Sequence, residues 1–264
     1  MNCIQCDSPD CILDPKLDMM ICSSCGVLFA ENRVSQESHF YKNKTPVTYL
    51  DRIKNKLTHE LFYNLIDDVY IKYLKSFSFK SAFDIGTRFG GFVTKLNENG
   101  IDAHGIEADN ELLKFAKSKK VTHGYFDENY KPERKYDLIC LTEMLYYLYD
   151  SISILNHAKT LLTDNGMIFI STLNPESPNM YNENSPLPNK SINVILSRKK
   201  FESLKGFELV DYTTFRTPLY SDIYIEKNPI LKKLKIMKYV LKLAKPYVKD
   251  PTGEHAFVLL KKFS

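Results

Sequence analysis

The 264-residue chain is 44% hydrophobic and 26% charged, a composition typical of a globular protein that buries a core. Its net charge of +4 is unevenly distributed: residues 227–249 contain eight lysines and no acidic residue, and the remainder carries 28 basic and 32 acidic side chains. No segment approaches the roughly 18 uncharged apolar residues of a membrane-spanning helix, and the first residues lack the features of a secretory signal. We therefore expect a cytoplasmic protein.

Two CxxC pairs stand near the start of the chain, separated by 15 residues. Their cysteines are Cys3, Cys6, Cys22 and Cys25. Two such pairs can complete the tetrahedral sphere of one zinc ion, and this predicts a zinc ribbon over residues 1–30. Because four thiolates leave no position for water, the metal should be structural. A redox dithiol pair is the alternative, but neither pair opens a helix. Cys11, in the predicted loop between the pairs, and Cys140 are expected not to be ligands.

A linker and a long helix should follow the ribbon. Residues 31–50 are polar and mixed, which suits a linker. From Asp51 to about Ser76 apolar residues recur every four positions, as on one face of a helix. These residues are Ile53, Leu57, Leu61, Leu65, Val69 and Tyr73.

Strands then alternate with helices. The predicted strands are Ser81–Ile85, Asp102–Ile106, Val121–Tyr125, Tyr136–Leu141 and Met167–Ser171. Helices are expected at about 91–99, 109–118 and 151–162, and a turn at residues 164–166. The alternation indicates a parallel sheet covered on both faces.

The segment 174–193 interrupts this rhythm with four prolines and six asparagines. A loop of this length is usually a lid, a binding loop or disordered, and we predict a lid. A helix at Ser197–Leu204, a strand at Phe207–Phe215 and a closing strand at His255–Leu260 are also expected.

A basic amphipathic helix is predicted at 229–247, where lysines flank an apolar face. Three interpretations stay open: a solvated cover, attachment to an anionic membrane surface and, least favoured, contact with RNA. Peripheral membrane attachment would modify the cytoplasmic assignment.

A strand, a glycine-containing turn, a helix and an acidic residue follow one another between residues 83 and 107. The strand ends at Gly86, Gly90 and Gly91 open the helix, and Glu107 ends the next strand. The glycines would allow a ligand to approach the backbone, and the carboxylate of Glu107 could accept both hydroxyls of a ribose. A plain turn with an exposed glutamate is the alternative.

These residues resemble the class I S-adenosylmethionine-dependent methyltransferases over residues 81–173. The stretches that carry the likeness are AFDIGTRFGGFVTKLNENGIDAHGIEADNELLKFAK, KYDLICLTEMLYYLYD and LLTDNGMIFISTLNP. With its ribbon, the chain further resembles methyltransferases of sugar and polysaccharide clusters over most of residues 1–215. The resemblance implies a Rossmann-like, doubly wound α/β domain over residues 51–264 with strand order 3-2-1-4-5-7-6.

The same resemblance implies a set of donor-binding residues at the carboxyl ends of strands one, two and four. They are Asp84, Gly86, Arg88, Gly90, Glu107, Tyr125, Phe126 and Thr142. Asp84 and Gly86 would line the methionine end, Glu107 the ribose, and Tyr125 or Phe126 the adenine. Thr142 and Glu143 would face the sulfonium.

The chain departs from the family pattern at two places. Arg88 stands where the family has a second glycine, and it offers a cation to the carboxylate of the donor. Tyr146 and Tyr147 replace a Glu-His pair that often supplies the base. Glu143, Tyr146 and Tyr147 are the candidate catalytic residues, with Glu143 preferred because a tyrosine is a poor base at neutral pH. Alternatively, the tyrosines only line the pocket. No histidine has a spacing that singles it out.

The expected function is methyl transfer from S-adenosylmethionine to a small-molecule acceptor such as a sugar or a glycan-linked intermediate. The alternatives are an RNA methyltransferase that uses the ribbon to bind RNA, and a non-catalytic scaffold that keeps only the fold. We expect the loop 174–193 and the basic helix to cover the acceptor side, and the helix to favour an anionic acceptor or surface.

Overall fold

The computed structural model describes residues 1–33, 64–216 and 248–263, except 115, 117, 133, 182–184, 186 and 188. The predicted helix at 229–247, most of the predicted linker and the first part of the helix expected from Asp51 lie outside the described residues. No helix in the described part of the chain is long and apolar enough to cross a bilayer.

The secondary structure alternates as expected in the middle of the chain. The strands are β1 (Cys11–Asp14), β2 (Met19–Cys22), β3 (Leu28–Phe29), β4 (Ser81–Ile85), β5 (Asp102–Glu107), β6 (Val121–His123), β7 (Tyr136–Thr142), β8 (Leu162–Leu173), β9 (Val194–Ile195), β10 (Phe207–Arg216), β11 (Val248–Lys249) and β12 (His255–Lys262). The helices are α1 (64–74), α2 (Gly91–Glu98), α3 (Asn110–Leu113), α4 (Ser151–Thr160) and α5 (Arg198–Glu202), with single 3₁₀ turns at Leu145–Tyr147 and Pro178–Tyr181.

The large sheet has the strand order β11-β10-β12-β8-β7-β4-β5-β6. β4 pairs in parallel with β5 and β7, and the parallel pairing continues from β5 to β6 and from β7 to β8. β12 is antiparallel to both β8 and β10. The parallel strands therefore end along one edge, as in a Rossmann-like fold.

Apolar side chains cover both faces of this sheet. On one face Tyr70 of α1 and Phe92 of α2 pack on Phe169 and Phe257. On the other face Leu155 of α4 belongs to the second cluster of buried side chains. Buried strands must be apolar on both sides when helices cover both faces, which explains their continuous apolar runs.

Four details differ from the expectations. The buried stripe of α1 passes through Ile66, Tyr70 and Leu74, whereas Val69 and Tyr73 are only partly buried beside it. The helix expected at 109–118 is described only as the short α3. Residues 164–166 lie within β8, where the register with β7 shifts, so an irregular strand takes the place of the predicted turn. Cys11 begins β1 and does not lie in a loop.

The N-terminal strands form a second sheet that a distant segment completes. Its order is β1-β2-β3-β9, so β9, from a point more than 160 residues later in the chain, becomes its fourth strand. Next to β9, Ser197 Oγ donates to the carbonyl of Cys25 at 2.5 Å and Lys200 Nζ donates to the carbonyl of Gln5 at 2.6 Å. Strand pairing and these hydrogen bonds bind the ribbon to the rest of the protein.

The described part of the loop 174–193 is packed between the ribbon and the large sheet. Met180, Leu187 and Ile192 are buried in a cluster that also contains Leu17 of the ribbon and Tyr146. Burying these side chains stabilises the loop against the two sheets.

Candidate active site

The turn between β4 and α2 has an unusual backbone. Gly86 and Gly90 have φ values of 72° and 70°, and Arg88 has a φ of 54°. A Cβ at Gly86 would lie 3.0 Å from Sδ of Met144, so both the conformation and the space favour glycine there. Arg88 adopts a left-handed conformation that a side chain disfavours, which agrees with the family having glycine at this position.

Glu107 holds two turns together at the end of β5. One carboxylate oxygen accepts the backbone N–H of Arg88 at 2.7 Å, and the other accepts the N–H of Asp109 at 2.9 Å. The residue is buried, and burial raises the pKa of its carboxyl, although the two N–H donors oppose that rise. Glu107 is therefore a fixed acceptor in the protein interior and not the exposed glutamate of the alternative interpretation.

Asp84 is a buried carboxyl without a well-formed hydrogen bond. It is 1% exposed, and neither of its oxygens has a hydrogen-bond partner among the described residues; the same is true of the nearby Thr87 hydroxyl. Burial raises the pKa of Asp84 to about 7; the Thr87 hydroxyl opposes the rise, and the neighbouring Asp67 adds to it. A buried carboxyl of this kind is costly unless a ligand pairs with it.

Glu143 is the centre of a buried polar network after β7. Its backbone has a φ of 53°, and its carboxylate accepts hydrogen bonds from the hydroxyls of Ser171 and, at 2.9 Å, Tyr146. His255 Nδ1 lies 3.4 Å from the carboxylate, and the hydroxyl of Tyr70 donates to Ser171 at 3.0 Å.

The environment of Glu143 affects its capacity as a base. Burial by itself would raise the pKa of this carboxyl, but His255 and the hydrogen bonds from Ser171 and Tyr146 together lower it to about 2. A carboxylate with so low a pKa is a weak proton acceptor. The network therefore favours a charged carboxylate at Glu143, and its expected role as the base stays a prediction.

The other expected site residues have different surroundings. Thr142 is buried at the end of β7. Tyr125 is partly buried and makes an edge contact with the ring of His123. Phe126 packs in the core against Tyr130 and His157 with ring centroids 5.4 and 5.1 Å apart. Of the two candidates for the adenine edge, Tyr125 is thus the one outside the core.

The cysteines of the two CxxC pairs converge. The sulfur of Cys3 lies 3.6 Å from that of Cys25, and Cys6 and Cys22 are also 3.6 Å apart. All four sulfurs lie within 4.8 Å of one another. Zinc–sulfur bonds of about 2.3 Å in a tetrahedron would place the sulfurs about 3.8 Å apart, so the cluster has the dimensions of a four-thiolate zinc site.

Sequence reasoning missed His255, Ser171 and Asp67. His255 begins β12 beside the end of β8, and it meets Glu143 only because the antiparallel strand returns to that edge. Asp67 lies on α1, close to Gly91 at the start of α2, where its Oδ2 would be 2.8 Å from a Cβ. Asp67 is a charged residue on the otherwise apolar, buried side of α1, and this was the one signal in the sequence that could have identified it. No local pattern marked His255 or Ser171.

Comparison with known proteins identifies the family. Residues 57–212, more than half of the chain, match the family model described as a methyltransferase domain. The chain belongs to this family. It is therefore an enzyme, an S-adenosylmethionine-dependent methyltransferase. No curated protein matches the chain by sequence.

Solved structures share the fold at low sequence identity. A methyltransferase from Thermotoga maritima, described as a possible histamine N-methyltransferase, has 16% identity and a TM-score of 0.54, covering 82% of this chain and 96% of its own. An S-adenosylmethionine-dependent methyltransferase from Archaeoglobus fulgidus has 17% identity and a TM-score of 0.53 over 81% of this chain and 100% of its own. The plantazolicin methyltransferase BamL, solved in complex with a triazolic desmethylPZN analog and SAH, has 16% identity and a TM-score of 0.52, covering 87% of this chain and 95% of its own.

Proposed function

We propose that this enzyme methylates a small-molecule acceptor of the sugar or glycan-linked type, with the donor bound at the ends of β4, β5 and β7. The observation that carries the donor site is the buried carboxyl of Asp84, which makes no well-formed hydrogen bond beside the glycine turn. A donor ammonium group would satisfy it, and Glu107, already oriented by two N–H groups, could accept the ribose hydroxyls. The order of β4 to β12 in the sheet supports the strand order 3-2-1-4-5-7-6.

When bound, the donor would supply an electrophilic methyl group on a sulfonium. The lone pair of the acceptor atom would form the new bond to that carbon as the carbon–sulfur bond breaks with its electrons passing to sulfur, and the proton of the acceptor would end in the solvent. The residues of the chain orient the reactants and exclude water. Ser171, Tyr146 and His255 would keep the carboxylate of Glu143 charged and oriented before the reactants bind.

Calorimetric titration with S-adenosylmethionine and S-adenosylhomocysteine tests the donor site. Labelled donor, incubated with a panel of sugar nucleotides and, separately, with bulk RNA, tests the acceptor class. Transfer to sugar nucleotides supports the proposal, whereas transfer to RNA with a steep salt dependence contradicts it.

The charge of the ribbon argues against RNA as the acceptor. Residues 1–30 contain one basic side chain, Lys16, and four aspartates. Lys200, and likewise Lys199, already donates to a carbonyl of the ribbon. A negatively charged ribbon is poorly suited to bind an RNA backbone, so the interpretation in which the ribbon binds RNA is not favoured.

We also propose that the ribbon binds one structural zinc ion through its four cysteines. The sulfur separations fit such a site, and the backbone N–H of Gln5 points at the sulfur of Cys3 at 3.4 Å, as expected of a donor to a thiolate. Zinc would hold the two CxxC turns together and take no part in the chemistry.

We further propose that a cavity between the ribbon and the loop 174–193, which none of the expected donor-site or catalytic residues lines, holds part of the acceptor. Its volume is about 330 Å³, and its walls include Leu17 and Met19 of the ribbon and Asn189, Lys190 and Ile192 of the loop. The mixed apolar and polar wall suits a small polar molecule. Lys190→Ala should raise the acceptor KM and leave donor affinity unchanged.

A further inference from the structure

Asn193 lies where the ribbon, the loop and the active-site turn meet. It is fully buried and directly precedes β9. Its carbonyl accepts the N–H of Ala30 at 2.9 Å, and its own N–H donates to the carbonyl of Tyr146 at 2.8 Å. Its side-chain Nδ2 donates to the carbonyl of Tyr147, also at 2.8 Å. One residue thus connects the end of the ribbon with both tyrosines.

On the ribbon side, the position of Asn193 depends on the second CxxC turn. β3 begins three residues after Cys25, and its residues Leu28 and Phe29 pair with Ile195 and Val194 of β9. The N–H of Cys22 also donates to the carbonyl of Val27 at 3.1 Å. A metal that fixes the cysteines would therefore fix β3, and with it Ala30 and β9.

On the active-site side, the tyrosines lie in one short 3₁₀ turn, Leu145–Tyr147. So short a turn satisfies few of its own carbonyls, and it needs donors from elsewhere in the protein. Asn193 provides two of them. The turn in turn places the Tyr146 hydroxyl 2.9 Å from the carboxylate of Glu143.

We infer that Asn193 is a positioning residue through which the metal-bound ribbon holds the Tyr146–Tyr147 turn, and thereby Glu143, in its active geometry. This inference rests on the proposed zinc site and the proposed methyl-transfer site. The ribbon then acts as a support of the active site, and loss of its metal loosens the turn while the large sheet stays folded.

Hydrogen exchange measured by mass spectrometry tests the coupling without an acceptor. The full chain is compared with and without a zinc chelator, and metal content is measured by elemental analysis. We expect the amides of residues 145–148 and of Asn193 to exchange about three- to tenfold faster after metal loss, as for the loss of one or two hydrogen bonds. The amides of α2, on the other side of the sheet, should not change.

The variant Asn193→Asp tests the role of Asn193 while the metal stays bound. The substitution keeps the size of the side chain and, at a pH where the new carboxyl is ionised, it removes the donor to Tyr147 and adds a buried charge. Metal content and protection of the ribbon amides should stay unchanged, while the amides of 145–148 exchange about three- to tenfold faster. The matched control is Asn189→Asp in the same loop, because the exposed Asn189 accepts the N–H of Ser191 through Oδ1, as an aspartate also can.

A spectroscopic signal distinguishes positioning from general destabilisation. In protein labelled with 3-fluorotyrosine, the ¹⁹F resonances of Tyr146 and Tyr147, assigned with phenylalanine variants, should shift on metal loss and in Asn193→Asp, but not in Asn189→Asp. If the turn stays protected and its resonances stay in place in metal-free protein or in Asn193→Asp, this inference is wrong and the zinc site stands. If the purified protein contains no metal, the zinc site and the inference fail together.

Discussion

Replacing Asp84 with asparagine should make the donor-free enzyme more stable and weaken its binding of donor. The wild-type carboxyl has a pKa of about 7 in the folded protein, against 3.8 for an unperturbed aspartate, because burial disfavours its charge. The folded state therefore holds the proton more tightly, and stability is lost as the pH rises from about 4 through about 7. The difference of about 3 pKa units corresponds to about 4 kcal/mol at pH values above 7.

The substitution removes that charge and keeps the shape of the side chain. The new amide is also buried without partners, at a cost of about 1–3 kcal/mol, so we expect a net gain of about 1–3 kcal/mol at about pH 8. Between about pH 5.5 and about pH 8 the advantage of the variant should grow by about 2 kcal/mol. Urea unfolding followed by circular dichroism measures both quantities.

Asp102→Asn provides the control. This exposed carboxylate is held by Lys120 and Arg134, both at 2.6 Å, and these partners lower its pKa to about 2. Its contribution to stability therefore changes only below about pH 4, and Asp102→Asn should show no added pH dependence between about pH 5.5 and about pH 8. Equal pH dependence of stability in the wild type and Asp84→Asn would refute the argument.

Donor affinity provides the second half of this prediction. If the ammonium of the donor pairs with ionised Asp84, binding by the wild type should weaken about tenfold between about pH 8 and about pH 6, since protonation competes. Asp84→Asn should bind more weakly at every pH, with a flat profile. Calorimetry at several pH values measures both affinities. An unchanged donor affinity in Asp84→Asn would show that Asp84 does not belong to the donor site.

Four further predictions concern other parts of the molecule. Glu107→Ala should weaken donor binding at least about tenfold by calorimetry, because it removes charge-assisted acceptors worth about 1.5–3 kcal/mol each; unchanged affinity would exclude the ribose role. Cys22→Ser should abolish the binding of one zinc per chain, measured by elemental analysis, and stoichiometric metal in the variant would contradict the four-cysteine site. His255→Gln should raise the pKa of Glu143 above about 2, because burial raises this pKa and the variant loses one of the partners that lower it. A carboxyl NMR titration measures the change, and a pKa that stays near 2 would show that His255 does not lower it. Replacing Lys235, Lys238 and Lys242 with glutamine should raise the acceptor KM or weaken liposome binding at unchanged donor affinity, and the absence of any such effect would leave the segment a solvated cover.

The local arrangement of the candidate donor site could be predicted from the sequence because its residues are close together in the chain. The strand, the glycine turn and the helix between Ala82 and Glu98 are one local unit, and a carboxylate at the end of the next strand must lie at the same edge of a parallel sheet. The two CxxC pairs were equally local, since each turn points two sulfurs the same way. Sequence pattern and spacing are enough to predict a site when the residues that form it are close together in the chain.

The tertiary structure decided the features that depend on distant contacts. The network around Glu143 unites β7 with Ser171 on β8, His255 on β12 and Tyr70 on α1, and its effect on the Glu143 pKa exists only when these elements are assembled. The fourth strand of the ribbon, β9, and the bonds of Asn193 likewise join segments more than 100 residues apart or separated by a long loop. No local propensity encodes such pairings, because burial and strand register, which the whole chain sets, determine which polar groups meet.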